Sequence, residues 1–104
     1  MSSLEMVALE GGRRLGLPAV LDLLAAESLR EVIRESLVLG GRLDIDASQV
    51  ERMSTPCIQV LMAAGRALKE GGITFSIDRP SDAFINGFYD LGLGSELADW
   101  TMTQ

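Results

Sequence analysis

The side chains that most enzymes use for catalysis are scarce in this sequence. Its 104 residues include no histidine and one cysteine, Cys57. Without imidazole there is no base of the kind that a catalytic triad uses, and one cysteine cannot form a recognisable zinc cluster. The glycine pairs at 11–12 and 71–72 read as turns, since neither lies in a phosphate-binding or dinucleotide-binding motif. The sequence therefore indicates a protein that is not an enzyme and binds no metal or cofactor.

Two adjacent hydroxyl residues, Ser54 and Thr55, precede a predicted helix. Thr55 is followed by Pro56, and this pair is typical of a helix start with threonine as N-cap and proline at the first helical position. Capping alone explains the pattern. A phosphate on the same hydroxyl would meet the free amides and the favourable dipole of the helix terminus. The residues alone leave both roles open. Cys57 is interpreted as a small, partly buried filler rather than a redox sensor.

The apolar pattern predicts the element order β-β-α-β-α-β-α in one α/β domain that spans residues 1–104. The predicted strands are 6–10, 13–19, 42–47 and 73–78, and the predicted helices are 25–37, 55–70 and one that begins after Ser81 and ends at Gly92. The glycine pair at 11–12 indicates an antiparallel hairpin, and the strand–helix succession implies parallel pairing. We expect a mixed sheet of four to five strands with three helices.

The second predicted helix is apolar on two sides. One stripe is expected to pack on the sheet and consists of Ile58, Leu61, Met62, Gly65 and Leu68. A second row lies at ~140–200° from Ile58 on the 3.6-residue period and consists of Pro56, Val60, Ala63 and Ala67, with Gln59 and Arg66 beside it. Such a row is either buried under another element of the same domain or covered by a partner, and we favour a partner.

Charge and hydropathy restrict the class of partner. The net charge is −6, and no basic residue follows Arg79. An acidic surface repels phosphate backbones and anionic lipids, so nucleic-acid binding is not expected. No apolar run approaches the ~20 residues of a membrane span, and no signal-peptide pattern is visible. Together with the single cysteine, these features indicate a cytoplasmic protein without membrane insertion.

Five segments occur in a recognisable order along nearly the whole chain. They are residues 21–37, with Leu-Asp and then Glu-Ser-Leu-Arg; residues 45–50, Ile-Asp-Ala-Ser-Gln-Val; residues 53–61, Met-Ser-Thr-Pro-Cys-Ile-Gln-Val-Leu; residues 71–73, Gly-Gly-Ile; and residues 80–93, with Pro-Ser and Leu-Gly-Leu. In this order they resemble the STAS domains of the anti-sigma factor antagonist family.

The resemblance implies a bacterial signalling module whose partner is an anti-sigma factor with serine kinase activity. In that family the kinase phosphorylates a hydroxyl at the start of the second helix, and phosphorylation releases the partner. Thr55 matches the phosphoacceptor, with Ser54 as the second candidate, and Asp46 matches an acidic neighbour at the end of the preceding strand. Partner contacts are expected at Pro56, Cys57, Gln59, Val60, Ala63 and Ala67.

Three departures from the family pattern keep other functions open. Ser54 stands where aspartate is usual, Pro56 follows the hydroxyl, and Cys57 replaces a small glycine or alanine. The run Ser-Thr-Pro-Cys also resembles small STAS proteins encoded among bacterial chemotaxis genes, which implies the chemotaxis histidine kinase as partner. A constitutive structural subunit of a larger complex, such as a transporter, is the alternative from another class. A small-ligand or nucleotide binder would need a phosphate loop, and none is visible.

Overall fold

The computed structural model describes residues 4–101, in which six short strands and four helices are present. The strands are β1 (Glu5–Leu9), β2 (Gly12–Gly16), β3 (Val20–Leu21), β4 (Arg42–Asp46), β5 (Arg52–Met53) and β6 (Thr74–Asp78). The helices are α1 (Leu23–Leu39), α2 (Thr55–Glu70), α3 (Asp82–Asp90) and α4 (Gly94–Thr101).

Four strands form the main sheet in the order β1-β2-β4-β6. The β1–β2 pair is antiparallel, as the hairpin prediction requires, and its turn uses Gly11 at φ +81°. The β2–β4 and β4–β6 pairs are parallel, and α1 and α2 make the connections between them. The predicted mixed α/β sheet is confirmed.

One face of this sheet is apolar and the other is polar, because side chains alternate along each strand. Leu15, Ile45 and Ile77 lie side by side on β2, β4 and β6 and are essentially unexposed. On the opposite face the Ser76 hydroxyl donates a hydrogen bond to Asp44 Oδ1 at 2.5 Å. The helices therefore meet the sheet on its apolar side.

The helices bury large side chains in a single core. Leu29 of α1, Leu61 of α2 and Phe88 of α3 each have 0% exposure. Trp100 of α4 completes an aromatic cluster, with its ring centroid 5.4 Å from that of Phe75 and 5.5 Å from that of Phe88. Among residues 4–101, no helix is long and apolar enough to cross a membrane.

The structure corrects three details of the predicted elements. A fourth helix, α4, follows the turn at Gly92, where the sequence predicts no further element. The predicted strand 13–19 ends at Gly16, and β3 begins only after Pro18. The segment between the predicted strand 42–47 and the predicted helix 55–70, for which no strand is predicted, contains β5, which pairs with β3 in a separate two-stranded sheet. Strands of two residues are too short to produce a visible alternation.

Candidate partner-docking site

The two longest helices begin side by side. Strands β3 and β5 are parallel, with Val20 opposite Arg52 and Leu21 opposite Met53, and each strand leads within two residues into a helix. The amide of Ser54 donates to the carbonyl of Leu21 at 3.1 Å and fixes this junction. The positive ends of two helix dipoles therefore lie at the same edge of the domain.

The hydroxyl turn differs by one residue from its predicted geometry. Ser54, not Thr55, occupies the N-cap position, with extended backbone at φ −97° and ψ 153°, and its carbonyl accepts from the amide of Ile58 at 3.2 Å. Thr55 is the first helical residue and Pro56 the second, so the threonine does not cap the helix. Both residue types can cap, and proline fits either of the first two helical positions, so the sequence alone does not determine the boundary.

The two phosphoacceptor candidates have different accessibility. The Ser54 side chain makes no capping hydrogen bond to the first turn of α2, and its Oγ atom is buried. Thr55 is exposed, as is Pro56 beside it. Of the two hydroxyl residues, Thr55 is the one that lies at the surface.

Cys57 is buried inside the junction between the two helix starts. It has 0% exposure, and its Sγ donates to the carbonyl of Asp22 at 3.2 Å. Burial raises the pKa of the thiol, while the neighbouring Ser54 hydroxyl lowers it by a smaller amount. The expected partner contact at Cys57 is therefore wrong, because the thiol joins α2 to the cap of α1.

Asp46 takes part in an ion-pair network at the carboxyl end of the main sheet. Its carboxylate accepts from Arg79 at 2.7 Å, from Arg14 at 3.2 Å and from the amide of Ser48 at 3.0 Å. Burial alone would raise the pKa of Asp46, but the hydrogen bonds from Ser48 and Arg79 outweigh it and hold the pKa well below its usual range. None of its hydrogen bonds within residues 4–101 reaches the Ser54–Thr55 turn. Asp46 instead connects the end of β4 to Arg14 of β2 and to Arg79 after β6.

Asp22 is the acidic residue that the structure brings to the turn. It is the N-cap of α1, where its Oδ1 accepts from the amide of Ala25 at 3.0 Å, and its carbonyl binds Cys57. In the sequence Asp22 stands out only as part of a family motif, with no role assigned to it. An aspartate directly before a helical apolar pattern is the signal that could have identified it.

Exposed apolar residues flank this helix terminus. Leu23 and Leu24 in the first turn of α1 are 62% and 60% exposed, and Val20 of β3 is 46% exposed. None of the three lies in a predicted element, because the predicted strand ends at residue 19 and the predicted helix begins at residue 25. An exposed apolar cluster next to a polar turn is a common feature of protein-docking surfaces.

The second apolar row of α2 divides between core and surface. Val60 is only 9% exposed and packs in the core, whereas Gln59 and Ala63 are exposed and Ala67 is half-buried. Together with Pro56 they line a groove of about 310 Å³ between α2 and α1. Both predicted alternatives thus occur in one row, since Val60 is buried inside the domain while Pro56 and Ala63 remain accessible.

Comparison with known proteins identifies the family of this fold. The family model described as "Mlab, STAS domain" matches residues 6–99, so the chain belongs to the STAS domain family. None of the curated protein sequences matches it significantly.

Solved structures of anti-sigma factor antagonists share the fold. SpoIIAA in its unphosphorylated form is 23% identical with a TM-score of 0.72, and the alignment covers 98% of this chain and 86% of that one. The Bacillus cell fate determinant SpoIIAA in the phosphorylated form is 23% identical with a TM-score of 0.69, covering 98% and 89%. An anti-sigma factor antagonist from Mycobacterium paratuberculosis is 20% identical with a TM-score of 0.74, covering 92% and 82%.

Proposed function

We propose that this chain is a non-catalytic signalling module of the bacterial cytoplasm that docks a regulatory kinase through the N-terminal end of α2, as an anti-sigma factor antagonist does. The observation that carries the proposal is the exposed Thr55 at the first residue of α2. The start of α2 lies beside the start of α1, where Leu23 and Leu24 are exposed. A modifiable polar group near exposed apolar side chains suits a docking surface.

Phosphorylation of Thr55 would act as the switch. A phosphate adds a charge of about −1.5 to −2 and strong acceptor oxygens. At the start of α2 it would meet amides that the Ser54 side chain does not cap, so the domain itself would tolerate it. A partner that packs on the exposed apolar side chains at the start of α1 would have to desolvate that charge, so it would be released from the modified surface. One solved structure of the fold is that of SpoIIAA in the phosphorylated form.

Incubation with ATP and a candidate serine kinase, followed by mass spectrometry of peptides, tests the acceptor. We expect phosphate on Thr55 in the wild type and in Ser54→Ala, and none on this turn in Thr55→Ala. Thr55→Ser should remain a substrate. Phosphate on Ser54, or a wild-type level of modification in Thr55→Ala, would contradict the assignment. The same assay with the chemotaxis histidine kinase, scored for complex formation, distinguishes the two kinase partners.

A constitutive subunit of a larger assembly, such as a transporter, is the second candidate. Its support is the apolar groove along α2, which offers a binding surface that needs no hydroxyl. The description of the matching family model, "Mlab, STAS domain", names no phosphorylation switch. In this case Thr55→Ala would be recovered in the assembly at the wild-type amount, and no phosphate would be found on the chain.

A further inference from the structure

We propose that the groove between α1 and α2 binds an amphipathic helix of the docking partner, whose acidic side chains pair with Arg30 and Arg34. The inference rests on the proposed function, since it specifies the partner chemistry of the same surface. The groove, its direction and its charge each support it.

The groove follows two helices that run side by side in the same direction. At their first turns Cys57 is hydrogen-bonded to the carbonyl of Asp22. At their last turns Leu37 lies against Gly71, where an added Cβ would be 3.3 Å from Leu37 Cδ2. Between these ends, α2 contributes Pro56, Val60, Ala63 and Ala67, and α1 contributes Ile33 and Leu37. At 1.5 Å per residue the α2 side is about 16 Å long, or three helical turns.

The spacing of these residues suits a helix rather than an extended strand. On both sides they recur every three to four residues, and on α2 the small side chains of Ala63 and Ala67 leave room for a close approach. A third helix laid along such a seam inserts residues at i, i+3, i+4 and i+7. An extended peptide gains its affinity from unpaired strand edges, and two helices offer none.

The charge of the groove is opposite to that of the whole chain. Its lining holds two ionisable side chains, both arginines, Arg30 and Arg34, whereas the protein carries a net charge of −6. Arg34 donates to Glu31 at 3.1 Å in a pair with 65% exposure on both sides, which binds weakly. Arg30 has no ion pair or hydrogen bond within residues 4–101. Arginines at i and i+4 lie about 6 Å apart and match two carboxylates one turn apart on a partner helix.

Selection from a peptide display library tests the proposal while the partner is still unidentified. The library would present random helical peptides of about 18 residues, about 27 Å long, to the folded protein. Enriched peptides should combine an apolar stripe with acidic residues one turn apart. Their affinity should fall by about tenfold or more on the variant Arg30→Glu/Arg34→Glu, and also on Ala63→Glu. Lys69→Glu carries the same kind of charge change on the side of α2 that lies near Gly65 and Trp100, away from the groove, and should bind normally.

Other outcomes would overturn the inference. These are enrichment of basic or uncharged peptides, equal binding to the arginine variant, or no enrichment. A dimer in sedimentation velocity that Ala63→Glu dissociates would instead assign the groove to a second copy of this chain. Phosphorylation of Thr55 in the Arg30→Glu/Arg34→Glu protein separates the two claims. If it persists while the peptide result fails, the groove assignment falls and the proposed function stands.

Discussion

At the scale of single residues, burial and hydrogen bonding divide the predicted site into exposed and buried parts. Thr55 is exposed, whereas Ser54 Oγ and Cys57 are buried at the junction of two helix starts. The sequence correctly places a hydroxyl turn at the start of α2. It cannot show which hydroxyl faces solvent, because this depends on Asp22 and Leu21, which lie more than thirty positions earlier and contact the turn only in the folded chain.

Asp46 gives a pH-dependent prediction. Its pKa is lowered in the folded protein, so its contribution to stability is present above the unfolded pKa of about 3.9 and is lost as pH falls further. Asp46→Asn should lower the free energy of unfolding at pH 7 by about 1–3 kcal/mol, because Arg79 and Arg14 lose a charged partner. The difference from wild type should shrink below pH ~4. Urea denaturation at several pH values measures it.

The control is Glu51→Gln, an exposed carboxylate without a hydrogen bond or ion pair in the described part of the chain. It should change stability by less than about 0.5 kcal/mol. A stability difference for Asp46→Asn that stays constant from pH 7 to pH 3 would contradict the ion-pair account.

At the scale of elements, α2 shows why a helical period predicts faces only approximately. The predicted stripe begins at Ile58, but the buried residues of α2 also include Cys57, Val60 and Ala64, which lie outside that stripe. At about 100° per residue the centre of the buried face lies between Leu61 and Leu68, on the side of the stripe that faces α1. The shift arises because α2 packs against α1 as well as the sheet, and the position of α1 is not encoded in the period of α2. The eight-residue α4 is not predicted from the sequence for a related reason. Leu97 is the one residue that it buries fully, and a single buried position gives no helical period.

Gly65 lies where α2 meets Trp100 of α4. Replacing it with alanine is predicted to change the stability in the direction opposite to the usual one. Alanine normally stabilises a helix relative to glycine by about 1 kcal/mol. Here a Cβ on Gly65 would lie 2.7 Å from the indole ring of Trp100. Gly65→Ala should therefore destabilise the protein, because overpacking costs about 1–3 kcal/mol. Thermal unfolding followed by circular dichroism checks it.

A double-mutant cycle supplies the control for Gly65. In the Trp100→Ala background the ring is absent, so Gly65→Ala should become neutral or stabilising. If Gly65→Ala stabilises the wild type, α4 does not pack on α2 as described.

At the scale of the whole molecule, the fold is the most predictable feature. The order of strands and helices restricts the chain to parallel neighbours joined by helices, and Leu43, Ile45 and Ile77 alternate as buried strand residues do. The groove and the aromatic cluster are less predictable, since both depend on how helices from distant parts of the chain meet. The fold that the order of elements predicts is that of the STAS family, to which the chain belongs.

A single core implies that truncations in different helices act on the same unfolding transition. Leu29→Ala, Leu61→Ala and Phe88→Ala each remove a side chain with 0% exposure. Each should lower the free energy of unfolding by about 2–5 kcal/mol, with one cooperative transition retained. Urea denaturation of the three variants measures this. Unchanged midpoints in all three would disprove the arrangement of the helices.

The most direct measurement of the docking claim is the affinity of the kinase partner for two forms of the protein, by calorimetry. One form is unmodified and the other is phosphorylated on Thr55. We predict binding of the unmodified form and a loss of at least about tenfold in affinity on phosphorylation, or about 1.4 kcal/mol. Thr74→Glu, which adds charge at an exposed position on β6, should bind as the wild type does. Equal affinities of the two forms would contradict a docking surface at the start of α2.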